Sequence, residues 1–384
     1  MLVPDPVERS ENEHVKYPMP GAPGFVHSTA DRTGLVSQCT QEGVEHVLEA
    51  MQHGAAGPPT CVVWISLRSE LVTYIAGKPY ALRDAKAPAH PMEKLDAPAE
   101  SLQQMERDLK ANVEEEVATE CGRLALQGPG GAKVQWTSVA LGSTHTPAEI
   151  VEAGGRRAAG VTGIVKTRFE CLPLSSLYPL KRQDVTSLLE LVWGEGGGAL
   201  SASEAVVVSS EKGAAVSTLV AIAASMAQRM RASNGERPAD LISREPLPLT
   251  RKWNPPRGLL EEFGPVDAFV KALDDIYSID EQGGEKLGEV SKLICDDTVD
   301  RWAAPVHLRK RVMELDQAAK MAGETADAPG PLTKTANVAL QQYLVMVAFA
   351  AMLQKPLKGE KSVPEHQTAV LDALDIVSTS IDTE

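Results

Sequence analysis

The sequence predicts an α/β protein: a mixed or parallel sheet flanked by helices, with a helical C-terminal extension. Three observations predict it. Short β-branched runs alternate with helical segments as far as residue 232. Prolines then crowd the chain at Pro238, Pro246, Pro248, Pro255, Pro256 and Pro265. Beyond them only helical periodicity continues. These shifts divide the chain into a polar, proline-rich leader or linker over 1–30, an α/β core over 31–232 and an irregular connector over 233–265. A helical extension packed on the core follows over 266–354, then a partly helical tail over 355–384.

Each element has its own reason. Thr40 is a natural N-cap for a helix running to about Gln52. Residues 61–65 are a buried strand, and Val72 to Leu82 a hairpin turning at Ala76-Gly77. From about Ser101 a long helix carries Leu102, Met105, Leu109, Val113, Val117 and Cys121 at steps of three or four, which makes one apolar face. Gly128-Pro129-Gly130-Gly131 is a turn, and 134–139 a strand. Thr146-Pro147-Ala148-Glu149 is a capping box with proline at the first helical position. A strand near 163–174 and a helix over 181–193 follow. The glycine run 194–198 follows a helix rather than a strand, so it reads as a connector and not a dinucleotide loop. Residues 205–208 form a β-branched strand that leads through a small turn at Gly213 into an apolar helix. Further helices are expected near 266–278, 284–296, 304–322, 334–354 and 364–380.

Bulk properties exclude several classes. Of the 384 residues, 43% are hydrophobic and 23% charged, as in ordinary globular chains. The formal charge of −14 disfavours nucleic acid and anionic membranes as partners. The N-terminus has neither a basic segment nor an apolar core, so no signal peptide is expected. The longest apolar run, 343–353, suits a buried helix and not membrane insertion. A cytoplasmic protein is the expectation. The five cysteines are odd in number and widely spaced, which fits reduced structural thiols. The eight histidines lack metal-ligand spacing, so neither a metal nor a cofactor is expected.

Several segments together resemble the paladin family, whose repeats have a tyrosine-phosphatase-like inositol-phosphatase fold. Residues 41–48, Gln-Glu-Gly-Val-Glu-His-Val-Leu, are similar to that family's TEEGI..VL helix. Residues 63–70, Val-Trp-Ile-Ser-Leu-Arg-Ser-Glu, resemble VWINLREE, and 74–84 resemble YINGRPFVLRE. Met105 to Lys110 fits the following ME..LK helix. Residues 307–310 resemble NLRE, and 344–353 resemble LIAFAAYL. The likeness covers roughly 16–354, one whole repeat. Paladins carry several repeats, so a short relative and an incomplete chain both fit.

The resemblance places a phosphate loop at Ser210, Glu211, Lys212, Gly213, Ala214, Ala215, Val216 and Ser217, where the family has CQMGRGRT. The family's nucleophilic cysteine is then Ser210, and its phosphate-binding arginine is Val216. The aspartate that protonates the leaving group becomes Ser176, in a loop one residue shorter. A neutral serine does not replace a low-pKa thiolate without a base. Valine offers no bidentate fork, and Glu211 on the rim repels phosphate. For Ser210 the alternatives are a serine nucleophile and a capping or turn serine. The second is preferred, because no Gly-x-Ser-x-Gly frame is present. Lys212 is either a phosphate ligand or a solvated loop lysine. Arg68 and Arg83 are either rim ligands or scaffold cations paired with Glu70 and Asp84. The resemblance therefore implies a pseudophosphatase, a non-catalytic module recognising phosphoprotein or inositol phosphate. A residual or divergent phosphatase and a purely structural repeat are the alternatives.

Overall fold

The computed structural model describes residues 1–4, 19–28, 31–53, 57–87, 92, 97–128, 132–162, 166–174, 180–193, 200–211, 216–232, 264–276, 287–301, 308–324, 329–354 and 363–383. The chain divides into two compact units: Met1–Ser176 with Ser203–Ala221, and Leu177–Ala202 with Ile222–Glu384. The expected Pro-rich connector up to residue 263, the glycine run and turn residues 129–131 lie outside the described residues.

In the first unit the elements run β1 (Leu2–Pro4), β2 (Val26–Ser28), β3 (Thr33–Val36), α1 (Gln41–Ala50), β4 (Val62–Ser66), β5 (Val72–Ile75), β6 (Lys78–Leu82) and α2 (Ala99–Thr119). They continue with β7 (Arg123–Gly128), β8 (Ala132–Ser138), β9 (Thr144–His145), α3 (Pro147–Thr162) and β10 (Thr167–Cys171). After α4 (Arg182–Trp193), which belongs to the second unit, come β11 (Ala205–Ser209) and the first turns of α5 (Val216–Ala232).

The main sheet has the order β10-β4-β11-β3-β2. Its first four strands are parallel, and β2 joins antiparallel at the edge. Every residue of β4 and β11 is buried. Parallel strands covered on both faces read as unbroken apolar runs, which is why Val62–Ser66 and Ala205–Ser209 are nearly all β-branched or aromatic. A second sheet, β1-β6-β5-β9, is antiparallel, and β7 pairs with β8 in a hairpin bulged at Gln127/Gly128. Ala76 and Gly77 have φ of 48° and 76°, the left-handed pair that a tight hairpin turn demands. Leu2–Pro4 and Val26–Ser28, inside the stretch expected as leader, are strands of these two sheets.

Local signals act as their chemistry requires. Thr40 Oγ1 accepts from the Gly43 N–H at 3.1 Å and caps α1. Thr146 and Glu149 exchange hydrogen bonds at 2.9 and 3.3 Å and start α3. One expectation is corrected. The buried face of α2 consists of Leu102, Glu106, Val113 and Val117. Met105 is 39% exposed, and Cys121 is exposed beyond the helix end. Positions 102, 106, 113 and 117 lie closer to one stripe than the series through 105, and a carboxyl takes the place read as methionine.

The second unit is helical: α4, the rest of α5, then α6 (Gly264–Ile276), α7 (Leu287–Arg301), α8 (Leu308–Met321), α9 (Pro331–Leu353) and α10 (Val363–Thr383). α9 is long and apolar enough to cross a membrane, yet most of it is buried. It is the axis on which α7, α8 and α10 pack. Arg182 of α4 reaches Asp372 and Asp375 of α10 at 2.6 and 2.8 Å.

A close approach in the first unit gives a stability prediction. A Cβ on Gly43 would sit 1.9 Å from the Gly21 carbonyl oxygen, a backbone atom. Glycine to alanine inside a helix ordinarily stabilises by about 1 kcal/mol. Here Gly43→Ala should instead destabilise by about 1–3 kcal/mol, the range for overpacking, read as a lower urea midpoint.

Candidate functional site

Parallel strands β4 and β11 end side by side, with Ser66 opposite Ser209. In open α/β sheets the carboxyl ends of such strands are where ligands meet the fold. The chain leaving β4 is held there by the Leu67 N–H, which donates to Ser209 O at 2.8 Å. Arg68 and Glu70, two residues apart in extended chain, project to the same side. Arg68 Nη2 donates to Glu70 Oε2 at 2.9 Å, and Arg83 Nη2 reaches the same oxygen at 3.1 Å. All three side chains are buried, at 4–7% exposure. The other carboxylate oxygen of Glu70 accepts from the Met92 N–H at 3.1 Å. Arg68 Nη1 donates to Gln38 Oε1, Gln38 Nε2 to the Tyr74 hydroxyl, and that hydroxyl to Cys39 O, at 3.3, 2.7 and 2.9 Å.

The scaffold pairing expected for Arg68 with Glu70 is present. That expected for Arg83 with Asp84 is not: Asp84 Oδ1 accepts from the Lys86 N–H at 2.8 Å. Asp84 opens a turn in which its carbonyl accepts from the Ala87 N–H at 3.2 Å, while Arg83 reaches Glu70 and Glu211, whose Oε1 lies 3.6 Å from Nη2. Glu211 thus faces a cation at the rim and is 32% exposed.

Of the predicted phosphate loop, Ser210, Glu211, Val216 and Ser217 are described, while Lys212, Gly213, Ala214 and Ala215 lie outside the described residues, as does Ser176. Ser210 Oγ donates to Ser217 Oγ at 3.1 Å across the loop. A neutral hydroxyl is no general base for its neighbour. Val216 opens α5 and is 3% exposed. The preceding hydroxyl, Ser209 Oγ, accepts from Trp64 Nε1 at 2.8 Å and donates to Ile65 O at 3.4 Å. It therefore acts as a brace between β11 and β4.

Beneath this edge is a cavity lined by Gln38, Trp64, Ser66, Arg68, Glu106 and Ser209, among others. Its volume of about 20 Å³ is room for a water. Cys39 also lines it. Burial pushes the Cys39 thiol far up, so it is held as a thiol rather than a thiolate nucleophile. Burial likewise pushes Cys171 up to about 12. Burial pushes the Glu106 carboxyl up to about 8, against the Val72 N–H and the charges of Arg68 and Arg107. At neutral pH it is a buried acid. Glu106, Cys39 and the Trp64–Ser209 brace are absent from the sequence-based expectations, because nothing local marks a helical glutamate or a strand serine as buried. Among the described residues, no group of three His, Cys, Asp or Glu could hold a metal ion.

Comparison with known proteins gives a match to part of the chain. The family model for PTP-like phytase, described as inositol hexakisphosphate, matches residues 65–228. The match runs from the end of β4 into α5, across both arginines and the strand, loop and helix around Ser210, and supports a PTP-like inositol-phosphatase fold there. No match is found among curated proteins. Among solved structures, a PTP-like phytase from Bdellovibrio bacteriovorus is similar at 13% identity and a TM-score of 0.34, over 57% of this chain and 67% of that one. The PTP-like myo-inositol phosphatase from Mitsuokella multacida, solved with myo-inositol-(1,3,4,5)-tetrakisphosphate, is similar at 14% identity and a TM-score of 0.38. The tandemly repeated PTP-like phytase of the same organism is similar at 14% and 0.36. Each Mitsuokella match covers 56% of this chain and 31% of the other.

Glu106 yields a pH prediction. Unfolded, its proton leaves near the ordinary 4.5; folded, near 8. Between those values the folded state binds more protons, so its contribution is full below pH 4.5 and is lost as pH rises toward 8. Glu106→Gln keeps the neutral form at every pH. The difference in urea stability, variant minus wild type, should therefore grow from pH 5 to pH 9 by a few kcal/mol. A difference independent of pH would mean that Glu106 is ionised in the fold.

Proposed function

We propose that this chain is a pseudophosphatase: a paladin-like, non-catalytic module of the PTP-like inositol-phosphatase fold that recognises phosphate groups in the cytoplasm. The observation that carries this reading is the Ser210–Ser217 hydroxyl pair at the end of β11, with Val216 buried at the first position of α5. A cysteine-dependent phosphatase needs a thiolate and a guanidinium fork at those two positions. The family match over 65–228 supports the fold on which that loop would sit. The ligand class follows from the same resemblance: inositol phosphate first, phosphoprotein second. A purely structural module is the second reading.

The wild-type chain should turn over neither an aryl phosphate nor inositol hexakisphosphate above buffer rates. Phosphate release that disappears in Ser210→Ala would contradict the reading. Binding is tested apart from chemistry. Inositol hexakisphosphate should raise the melting temperature of the wild type, and the absence of any shift at millimolar ligand would favour the structural module.

Restoring the two lost groups gives a separate test. Ser210→Cys with Val216→Arg should tighten phosphate binding by about tenfold or more, since charge-assisted bonds contribute about 1.5–3 kcal/mol. Turnover should stay low while position 176 is serine. Unchanged affinity by calorimetry would mean that residue 216 does not face the ligand.

A further inference from the structure

The charges around Arg83 are arranged unevenly. Arg83 is 7% exposed, and its two acidic partners are Glu70 Oε2 at 3.1 Å and Glu211 Oε1 at 3.6 Å. The nearer oxygen is shared, because Arg68 Nη2 lies 2.9 Å from it. One carboxylate oxygen thus serves two guanidiniums, and the buried Arg83 Nε makes no hydrogen bond. A buried cation that shares its near partner draws in a further anion, since an undercompensated buried charge is costly. Glu211 supplies it from the rim of the predicted phosphate loop. Its contact is longer than a good charge-assisted hydrogen bond, and its side chain is 32% exposed. The glutamate carboxylate therefore stands where solvent reaches, against Nη2 of a guanidinium whose Nε is unpartnered.

We propose that the Glu211 carboxylate is an internal stand-in for a phosphate group, and that Arg83 receives an external phosphate when Glu211 swings aside. The site rests on the reading of this loop as the anion-recognising edge of the fold. It adds a receptor cation and a competitor to that reading. The buried arginine replaces part of the charge lost at Val216, and Glu211 sets the affinity through competition. Ligand and side chain exclude each other from one guanidinium, so phosphate binds more weakly than Arg83 alone would allow.

The test titrates inorganic phosphate by calorimetry into wild type, Glu211→Gln, Arg83→Met and the double variant. Glu211→Gln should bind phosphate about twofold to fivefold more tightly than wild type, the scale of a partly exposed ion pair. That gain should vanish in the Arg83→Met background. No gain, or an equal gain with Arg83 removed, overturns the proposal. If Arg83→Met does not fold, the Arg83 Nε–H resonance is followed in Glu211→Gln instead. It should move on adding phosphate, and a resonance that stays fixed overturns the proposal. Inositol hexakisphosphate and O-phosphotyrosine are titrated as further arms. Equal gains for both support a site that meets only the phosphate group, whereas a gain confined to one of them, with none for phosphate, overturns it. Turnover by the wild type would defeat the pseudophosphatase reading and leave this competition intact. An Arg83-independent gain would do the reverse.

Discussion

One oxygen atom, Glu70 Oε2, lies within 3.1 Å of two guanidinium groups that are themselves buried. Around it the first unit is organised. The atom ties the chain leaving β4, which carries Arg68, to the chain leaving β6, which carries Arg83. Through Gln38 and the Tyr74 hydroxyl the same cluster reaches the segment before α1. Truncating one partner of a buried pair costs about 3–5 kcal/mol, because the other charge is left stranded. The cluster thus fixes where the strand ends sit, and it determines what those ends can do. Arginines held this way meet protein carboxylates before any ligand arrives, although Arg83 keeps its Nε donor unpartnered.

The contrast between scaffold and chemistry follows from that constraint. The fold has a strand and a helix on either side of the predicted loop, and β11 is braced to β4 through Trp64 and Ser209. In the proposed reading, serine and valine at 210 and 216 stand where a charged nucleophile and a fork would be needed. The Ser210 hydroxyl after β11 meets the Ser217 hydroxyl in the first turn of α5, and Val216 is buried beside it. The acid that is present, Glu106, is in the cavity under the sheet edge, protonated by burial. A carboxyl held neutral in this way is a buried hydrogen-bonding group. Its proton is set by desolvation, not by a leaving group.

Much of the fold was legible locally. The Thr40 cap, the Thr146–Glu149 box, the Ala76-Gly77 turn and the β-branched runs of β4 and β11 each carry their instruction within a few residues. β1, β2, β3, β7 and β9 were not expected: β1, β2, β3 and β9 have only two to four residues and no tight-turn signal like Ala76-Gly77, and the alternation of β7 follows directly on a helical series read as far as Cys121. The α2 face was misread at a single step. Met105 and Glu106 both fit a helical series from Leu102, and hydropathy favours methionine. Only the polar surroundings, with the Val72 N–H and the Arg68 charge, make room for the carboxyl. Of the site, the sequence displays residue types and not their surroundings. The absence of cysteine and arginine at positions 210 and 216 is plain in the sequence. That Arg83 pairs with Glu70 and Glu211 rather than Asp84 depends on the turn that Asp84 opens, and on a loop more than a hundred residues away.

The central claim is that this edge of the sheet lacks the groups that stabilise a phosphoryl transition state. Vanadate, which adopts the five-coordinate geometry of that state, tests it most directly. A transition-state mimic binds 10²–10⁸-fold tighter than a substrate only where the enzyme's complementary groups exist. Vanadate and phosphate should therefore bind the wild-type chain with affinities within about tenfold of each other. Vanadate binding a hundredfold or more tighter than phosphate, and weakened by Ser210→Ala, would contradict the claim.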